Sequence, residues 1–236
     1  MRGILLVVMK QNLLLTLLTT GIACLGLSSC GTGPSMSGSS LSAYQSYNRP
    51  ASLPSNRSKV RVKVSTSHQM VYVMEGSKAL LVMPVSVGTA STPTPKGHFR
   101  IFRKVQKHRA NSHGYAYQGN KVRRCYLRSK PSGWSFKGTP MPYWCEFKTH
   151  YGFHTGWMKH RPCTHGCIRM HENLSPKFFN LVKNGTPVYI AHSLPEDASL
   201  GKNVPRPPDA GALPNYPTSM MLSDGYFNRH SKPTYN

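Results

Sequence analysis

The amino-acid sequence predicts a mostly β fold, with one clear helix near residues 175–184. The first observation is an alternation in which Val60, Val62 and Val64 are separated by Arg61 and Lys63, as expected for a strand with one buried face. The second is a series of short apolar runs separated by turns that contain glycine or proline, a pattern typical of β-sheet proteins. The third is that only one stretch has a convincing helical pattern.

The residues after this first strand indicate a hairpin, a loop and a further strand. Two apolar runs, 70–74 and 79–87, flank Glu75-Gly76-Ser77, which is a hairpin signal. Residues 92–97 contain two prolines and a glycine, and they therefore predict a shaped loop rather than a helix. The strand pattern returns over residues 98–104.

The middle of the chain carries a weaker pattern. Residues 105–138 are basic and rich in loop-forming residues, and residues 141–147 are apolar and aromatic. We therefore expect only short strands between 105 and 138.

The one convincing helix begins at Ser175. Serine is a favourable N-cap, and Pro176 then takes the preferred first helical position. Gly185 ends the helix, and residues 188–190 form a closing strand. The apolar face of the helix consists of Phe178, Phe179, Leu181 and Val182.

Changes in composition predict the domain organisation. Residues 1–29 are expected to be a signal peptide, 30–58 a flexible Ser/Gly/Pro tether, 59–192 the single folded domain and 193–236 a disordered Pro/Gly-rich tail. The chain of 236 residues has a net charge of +23, and residues 59–192 alone contain 22 Lys and Arg against 3 Glu. Such a charge favours an anionic partner: nucleic acid, acidic lipid or wall polymer.

The N-terminus resembles a bacterial lipoprotein signal. Arg2 and Lys10 accompany an uncharged apolar run of about 15 residues, which is short for a membrane span and typical of a secretory signal. The run ends in Leu27-Ser28-Ser29-Cys30, which resembles a lipobox, so we expect cleavage before Cys30 and lipidation of its thiol. An ordinary signal peptide cleaved elsewhere and a short transmembrane anchor are the alternatives.

This signal predicts a lipid-anchored protein on the periplasmic side of the cell envelope. Gly31 follows Cys30 at the position where an aspartate favours retention in the inner membrane, so the outer membrane is the expected destination. Translation could start at Met1 or at Met9, since Met9 opens a signal of more usual length. In either case an N-terminal lipid would join the chain to a membrane.

Four cysteines remain once Cys24 leaves with the signal and Cys30 carries lipid. An exported chain meets an oxidising compartment, where disulfides form. If one of the four must stay a free thiol, three are left, and no pairing can be assigned. The four are Cys125, Cys145, Cys163 and Cys167.

One segment contains the residue types that thiol catalysis needs. A cysteine attacks as a thiolate, and a nearby imidazole can take its proton. Acyl chemistry also needs hydrogen-bond donors for the developing oxyanion. Cys167 follows Gly166, whose missing side chain lets backbone N–H groups approach a carbonyl, and His154 and His165 are both candidate bases.

The same segment resembles the signature of the YkuD-type L,D-transpeptidase family. The match begins with residues 164–170, Thr-His-Gly-Cys-Ile-Arg-Met, together with the upstream His154. Three further segments are similar to family elements: 92–101 to a loop and strand, 141–144 to an MPYW element and 185–190 to the closing strand. Because the four matches occur in the family's order, the resemblance implies a β-sandwich-like L,D-transpeptidase catalytic domain.

The resemblance also implies a role for each site residue. Cys167 would be the nucleophile that releases D-alanine from a peptidoglycan stem and forms a thioester, and His154 would be the base. The carbonyl of Thr155 would orient that base, and N–H groups near His165, Gly166 and Cys167 would form the oxyanion hole. The thioester would pass to an amine, which cross-links or remodels the wall.

Arg169 has two interpretations of equal weight. Its guanidinium could hold a stem carboxylate, since it forks onto carboxylates well. It could equally brace the loop through backbone carbonyls.

Three other functions compete with this one. A zinc site could be built from Cys163, His165, Cys167 and His171, but their spacing differs from common zinc motifs, so we expect no metal and no cofactor. Nucleic-acid binding by the basic residues between 100 and 130 is opposed by export. An L,D-carboxypeptidase, or a non-catalytic basic module that binds the wall, remains as the alternative.

Overall fold

The alternating residues form three sheets in a computed structural model, which describes residues 38–213, 215–230 and 232–236. The predicted signal peptide, the start of the tether and Cys30 lie outside the described residues. The strands are β1 (Val60–Ser65), β2 (Met70–Glu75), β3 (Lys78–Pro84), β4 (Gly97–Arg100), β5 (Arg103–Val105), β6 (Arg109–Gln118), β7 (Lys121–Tyr126), β8 (Ser135–Pro140), β9 (Trp144–Lys148), β10 (Tyr151–Thr155), β11 (Ile168–Met170) and β12 (Pro187–Ala191). The α-helices are α1 (Gly38–Ser46), α2 (Ser175–Leu181), α3 (Thr218–Leu222) and α4 (Gly225–Asn228).

The first sheet has five strands in the order β3-β2-β1-β12-β4. Val62 and Val64 of β1 are buried and Arg61 is exposed, which confirms the alternation. The predicted hairpin is β2 and β3, joined by a turn in which Gly76 has a positive φ of 61°. β12 lies parallel to β1 and antiparallel to β4.

The second sheet has four strands in the order β11-β10-β9-β5. Its inner face and that of the first sheet enclose one core, which α2 completes, so the sandwich-like fold is confirmed. Phe153 of β10 and Phe178 of α2 pack at the centre with ring centroids 4.6 Å apart. β10 and β11 run parallel, with Phe153 opposite Ile168.

The third sheet differs from the short strands expected in residues 105–138. β6 is ten residues long and pairs with both β7 and β8. Five of the six β7 residues are exposed. An alternating apolar signal arises only where one face of a sheet is buried, and β7 has no such face.

The predicted helix is confirmed, but its start is different. Leu174 occupies the N-cap, and Ser175 lies inside the helix. The Ser175 hydroxyl donates to the carbonyl of His171 at 2.8 Å, so it does not cap the helix. The helix ends at Leu181, before Gly185.

The segments on either side of the domain pack against it, unlike the flexible tether and disordered tail that we expected. In α1, Tyr44 is buried, and its carbonyl accepts a hydrogen bond from His171 Nε2 at 2.8 Å. In the tail, Leu194 packs on Tyr72, whose hydroxyl donates to Asp197 at 2.6 Å. For the tail, the physical reason lies in β2, which is apolar on both faces and therefore needs a cover for its outer face,.

The helices of the described residues include none that is both long and apolar enough to cross a membrane.

Candidate active site

The parallel pair β10 and β11 brings the predicted nucleophile and base to one face of the second sheet. Phe153 and Ile168 point into the core, and His154 and Arg169 are the next residues on each strand and lie opposite each other. Because side chains alternate along a strand, His154 and Arg169 face away from the core. Cys167 directly precedes β11, and its side chain lines the same cavity as that of His154.

His154 is buried and has a defined tautomer. Its Nδ1 lies 2.8 Å from the carbonyl oxygen of Thr155. A carbonyl only accepts hydrogen bonds, so Nδ1 carries the proton, and Nε2 of the neutral ring is left with a free lone pair. Burial, reinforced by the charge of Arg169, lowers the pKa of His154 to about 3. The ring is therefore neutral at physiological pH and can accept a proton.

Cys167 is half-buried at the end of the loop before β11. Its thiol donates to the carbonyl of His150, with the sulfur 3.6 Å from the oxygen. Burial raises the pKa of Cys167, while the N–H of Gly152 and the charge of Arg169 act in the opposite direction. The raised pKa of the Cys167 thiol and the lowered pKa of the His154 imidazole both favour the neutral forms of the pair.

The loop around Gly166 depends on the absence of a side chain. Gly166 has a φ of 101°, and a Cβ there would lie 2.5 Å from the ring of Tyr151. Its N–H donates to Thr164 Oγ1 at 3.1 Å, and that hydroxyl donates to the carbonyl of Cys167 at 2.6 Å. The Gly166 N–H is therefore already engaged and is not a free oxyanion donor, which differs from our expectation.

Arg169 braces the loop that follows β10. Its guanidinium donates to the carbonyl of Trp157 at 2.8 Å, and the same nitrogen lies 3.7 Å from Cys163 Sγ. The side chain also packs against Gly156, where a Cβ would come within 2.7 Å of it. Of the two interpretations from the sequence, the contacts match bracing of the loop.

Cys167 and His154 line a cavity of about 450 Å³. His165 lines it too, with its ring 6.1 Å from that of His113 on β6. Tyr115 and Arg124 extend this wall from the third sheet, so part of the basic stretch borders the cavity. His113 belongs to no motif in the sequence, and only the position of β6 gives it a place in the cavity.

The opposite wall comes from the C-terminal tail, which sequence analysis did not connect with the site. We call residues 209–230 the C-terminal wall; residue 214 is outside the described part. Five of its residues line the cavity. They are Asn215, Tyr216, Thr218, Met221 and Tyr226.

The other cysteines behave differently from one another. Cys145 is buried in the core, and burial raises its pKa to about 12. Cys163 is half-buried and lines the cavity. Both are free thiols, as is Cys125. The described residues contain no group of three or more His, Cys, Asp or Glu side chains that could hold a metal ion.

Comparison with known families assigns the domain. A family model described as the L,D-transpeptidase catalytic domain, YkuD, matches residues 59–190. The match includes both sandwich sheets and every residue from His154 to Arg169. No curated protein matches the chain.

Solved structures similar to this chain include three L,D-transpeptidases. The protein from Stackebrandtia nassauensis is 23% identical with a TM-score of 0.43, and the match covers 61% of this chain and 60% of that one. The protein from Mycobacterium smegmatis is 17% identical with a TM-score of 0.44, and the match covers 56% of this chain and 58% of that one. The protein from Enterococcus faecium is 20% identical with a TM-score of 0.41, and the match covers 56% of this chain and 50% of that one. The chain therefore matches between half and three-fifths of the length of these proteins.

Proposed function

Because the chain belongs to the YkuD family of L,D-transpeptidase catalytic domains, we propose that it is a cysteine L,D-transpeptidase acting on peptidoglycan stem peptides. One observation carries the proposal. Cys167 lines a cavity together with His154, a neutral imidazole whose Nδ1 proton is committed to the Thr155 carbonyl. The free Nε2 can accept the thiol proton, as a general base requires.

The first half of the reaction forms a thioester. Cys167 Sγ attacks the carbonyl carbon that precedes the terminal D-alanine, and its proton passes to His154 Nε2. The carbon–nitrogen bond of the tetrahedral adduct then breaks, and the same proton moves to the departing D-alanine amine. Backbone N–H groups of the loop that contains His165 and Cys167 are proposed to stabilise the oxyanion.

The second half transfers the acyl group. An amine of a second stem attacks the thioester, gives a proton to His154 and expels the Cys167 thiolate, which takes that proton. The products are a new amide and the free enzyme, so two half-reactions share one base. With water as the acceptor the same site would be an L,D-carboxypeptidase.

The charge of the cavity supports an anionic peptide as the substrate. Arg124 and Arg169 line it, and none of its described lining residues is acidic. A stem peptide carries carboxylates, which the positive field of such a cleft attracts. Peptidoglycan is therefore the proposed partner, without a cofactor.

We propose further that the mature chain begins at a lipid-modified Cys30 and lies on the periplasmic side of a bacterial envelope. The motif that ends in Cys30 supports this localisation. Cys30→Ala should move the protein from the membrane fraction of the producing bacterium to the soluble fraction. A wild-type chain whose N-terminal peptide has no lipid mass would overturn the anchor and leave the enzymatic proposal intact.

The enzymatic proposal is tested by incubating the mature protein with disaccharide-tetrapeptide and measuring the products by mass spectrometry. We expect free D-alanine together with a cross-linked, exchanged or shortened stem. A Cys167 thioester should appear on the intact protein in rapidly quenched samples. If the wild-type protein yields neither D-alanine nor an acyl-enzyme, the proposal is wrong.

A further inference from the structure

The C-terminal wall is anchored at several points that are distant in sequence. Arg229 forms an ion pair with Glu172, just after β11, and its guanidinium lies 4.1 Å from the ring centroid of Tyr216. Both partners of the pair are largely buried. Tyr216 stacks on Trp157 with centroids 4.6 Å apart and donates to Glu172 at 3.0 Å. The wall is thus joined to Trp157, which follows β10, and to Glu172, which follows β11.

A second set of contacts joins the wall to the third sheet. Arg109 of β6 donates to the carbonyls of Met221 and Ser223 at 2.8 and 2.7 Å. Its guanidinium also lies 5.0 Å from the ring centroid of Phe227. The wall therefore connects the β10–β11 region of the second sheet to β6 of the third sheet, across the cavity.

The wall also reaches the residue that orients the base. His230 Nε2 lies 3.2 Å from Thr155 Oγ1, and His230 Nδ1 lies 3.3 Å from the carbonyl of Phe227. Because that carbonyl can only accept, Nδ1 carries the proton, and Nε2 accepts from the Thr155 hydroxyl. The backbone carbonyl of the same Thr155 accepts the Nδ1 proton of His154.

We propose that the C-terminal wall is a working part of the active site, in which His230 is a positioning residue for His154 and the cavity face of the wall is a substrate-binding surface. The positioning acts through Thr155, whose hydroxyl is held by His230 and whose carbonyl holds the base. The inference rests on the proposed function, since its measurements need an active enzyme.

The binding surface has a chemical character that complements the rest of the cavity. The wall contributes Tyr216, Met221 and Tyr226, which are aromatic or flexible apolar side chains, whereas the opposite side carries Arg124. A peptide with a carboxylate fits such a cleft, with its charge towards the arginine and its aliphatic part against the wall. The wall would thus raise affinity for the stem, while His230 would raise the rate of the chemical step.

The positioning role is tested with His230→Phe and His230→Gln in the full mature protein. Phenylalanine keeps the ring that packs 5.0 Å from Tyr143 but removes the acceptor. Glutamine loses the ring but offers a side-chain oxygen near the position of Nε2. We expect His230→Phe to lower kcat about five- to tenfold, because the buried Thr155 hydroxyl loses its partner, and His230→Gln to recover most of the rate.

Thr155→Val sharpens this test, because it removes the hydroxyl and keeps the carbonyl that orients His154. It should lower kcat about as much as His230→Phe. If His230 acts through the hydroxyl, the double variant should be no slower than either single variant. Full additivity in the double variant, or an unchanged kcat in His230→Phe, would overturn the positioning role.

The binding role is tested with Met221→Ala, with Met220→Ala as the matched control, because Met221 lines the cavity and its neighbour is not among the lining residues. We expect Met221→Ala to raise KM about three- to tenfold at unchanged kcat, since it removes apolar contact area. Equal KM values for wild type and Met221→Ala would overturn the binding surface.

The outcomes separate this inference from the proposed function. If the wild type is active, and His230→Phe keeps its kcat and Met221→Ala keeps its KM, the inference alone is contradicted. An inactive wild type contradicts the proposed function. Thermal unfolding of every variant shows whether it is folded. If His230→Phe does not fold, the kcat of His230→Gln is compared with that of the wild type instead.

Discussion

The two faces of the β10–β11 strand pair are made by adjacent residues but depend on different interactions. On the inner face, Phe153, Ile168 and Met170 are fully buried among apolar side chains. On the outer face, His154 and Arg169 are held by the carbonyls of Thr155 and Trp157. Apolar packing therefore positions the side chains of the core face, whereas hydrogen bonds to backbone carbonyls orient the side chains of the cavity face.

The largest expected effect is on the cavity face. Cys167→Ala should reduce D-alanine release by about 10⁴-fold or more, because it removes the thiol that forms the proposed thioester. Release is measured by coupled assay, and the melting temperature should stay close to that of the wild type. The matched control is Cys125→Ala, which removes a free thiol of β7 outside the cavity lining and should keep full activity. Equal activity of the two variants would contradict the assignment of the nucleophile.

The next effect is on the core face. Phe153→Ala should lower the free energy of unfolding by about 3–5 kcal/mol, since it leaves a cavity between the two sandwich sheets. Urea unfolding measures the loss. Phe102→Ala is the control, because Phe102 is 52% exposed and its removal should cost less than about 1 kcal/mol. Similar losses for the two variants would mean that Phe153 is not the centre of the core.

The stability of the protein should fall as the pH is lowered from 7 to 5. Burial holds the pKa of His154 at about 3 and that of His171 at about 4, whereas an unfolded histidine titrates near 6.5. Only the unfolded chain therefore gains protons in this window, and each histidine should remove about 1.4 kcal/mol per pH unit below about 6.5. Above that pH their contribution is complete.

Urea unfolding at pH 7 and pH 5 measures this difference. Replacement of the buried His171 by Gln should reduce it, and replacement of the exposed His192 by Ala should not. A wild type whose unfolding midpoint is the same at both pH values would show that these histidines are not held neutral.

The smallest expected effect on stability compares two glycines with a positive φ. A Cβ at Gly166 would lie 2.5 Å from the Tyr151 ring, whereas a Cβ at Gly76 would meet nothing within 4 Å. Backbone strain alone should lower the free energy of unfolding of both alanine variants by about 1 kcal/mol. The clash with Tyr151 should bring the total loss for Gly166→Ala to about 3 kcal/mol. Activity should separate them further, since a displaced Cys167 loop lowers the rate about 100-fold. Equal activity of both variants would mean that the loop tolerates displacement.

Much of the fold was predictable because its signals are local. The alternation in β1 and the turn at Gly76 depend on neighbouring residues, and the structure confirms both. The extent of the third sheet was not predicted, because five of the six β7 residues are exposed and no apolar period marks that strand,. Residues 194–204 were missed as a cover, although the continuous apolar run of β2 was a signal that something must pack on its outer face.

For the candidate site, the sequence by itself determined the residue types, their order and the family. It could not decide which of two interpretations holds for Arg169, whether the Gly166 N–H is free, or what closes the cavity. Those answers depend on contacts between distant residues, such as Thr155 and His230, which are 75 positions apart. No local pattern encodes such a pair, because a hydrogen bond forms only where the packed sheets and the tail bring its donor and acceptor together.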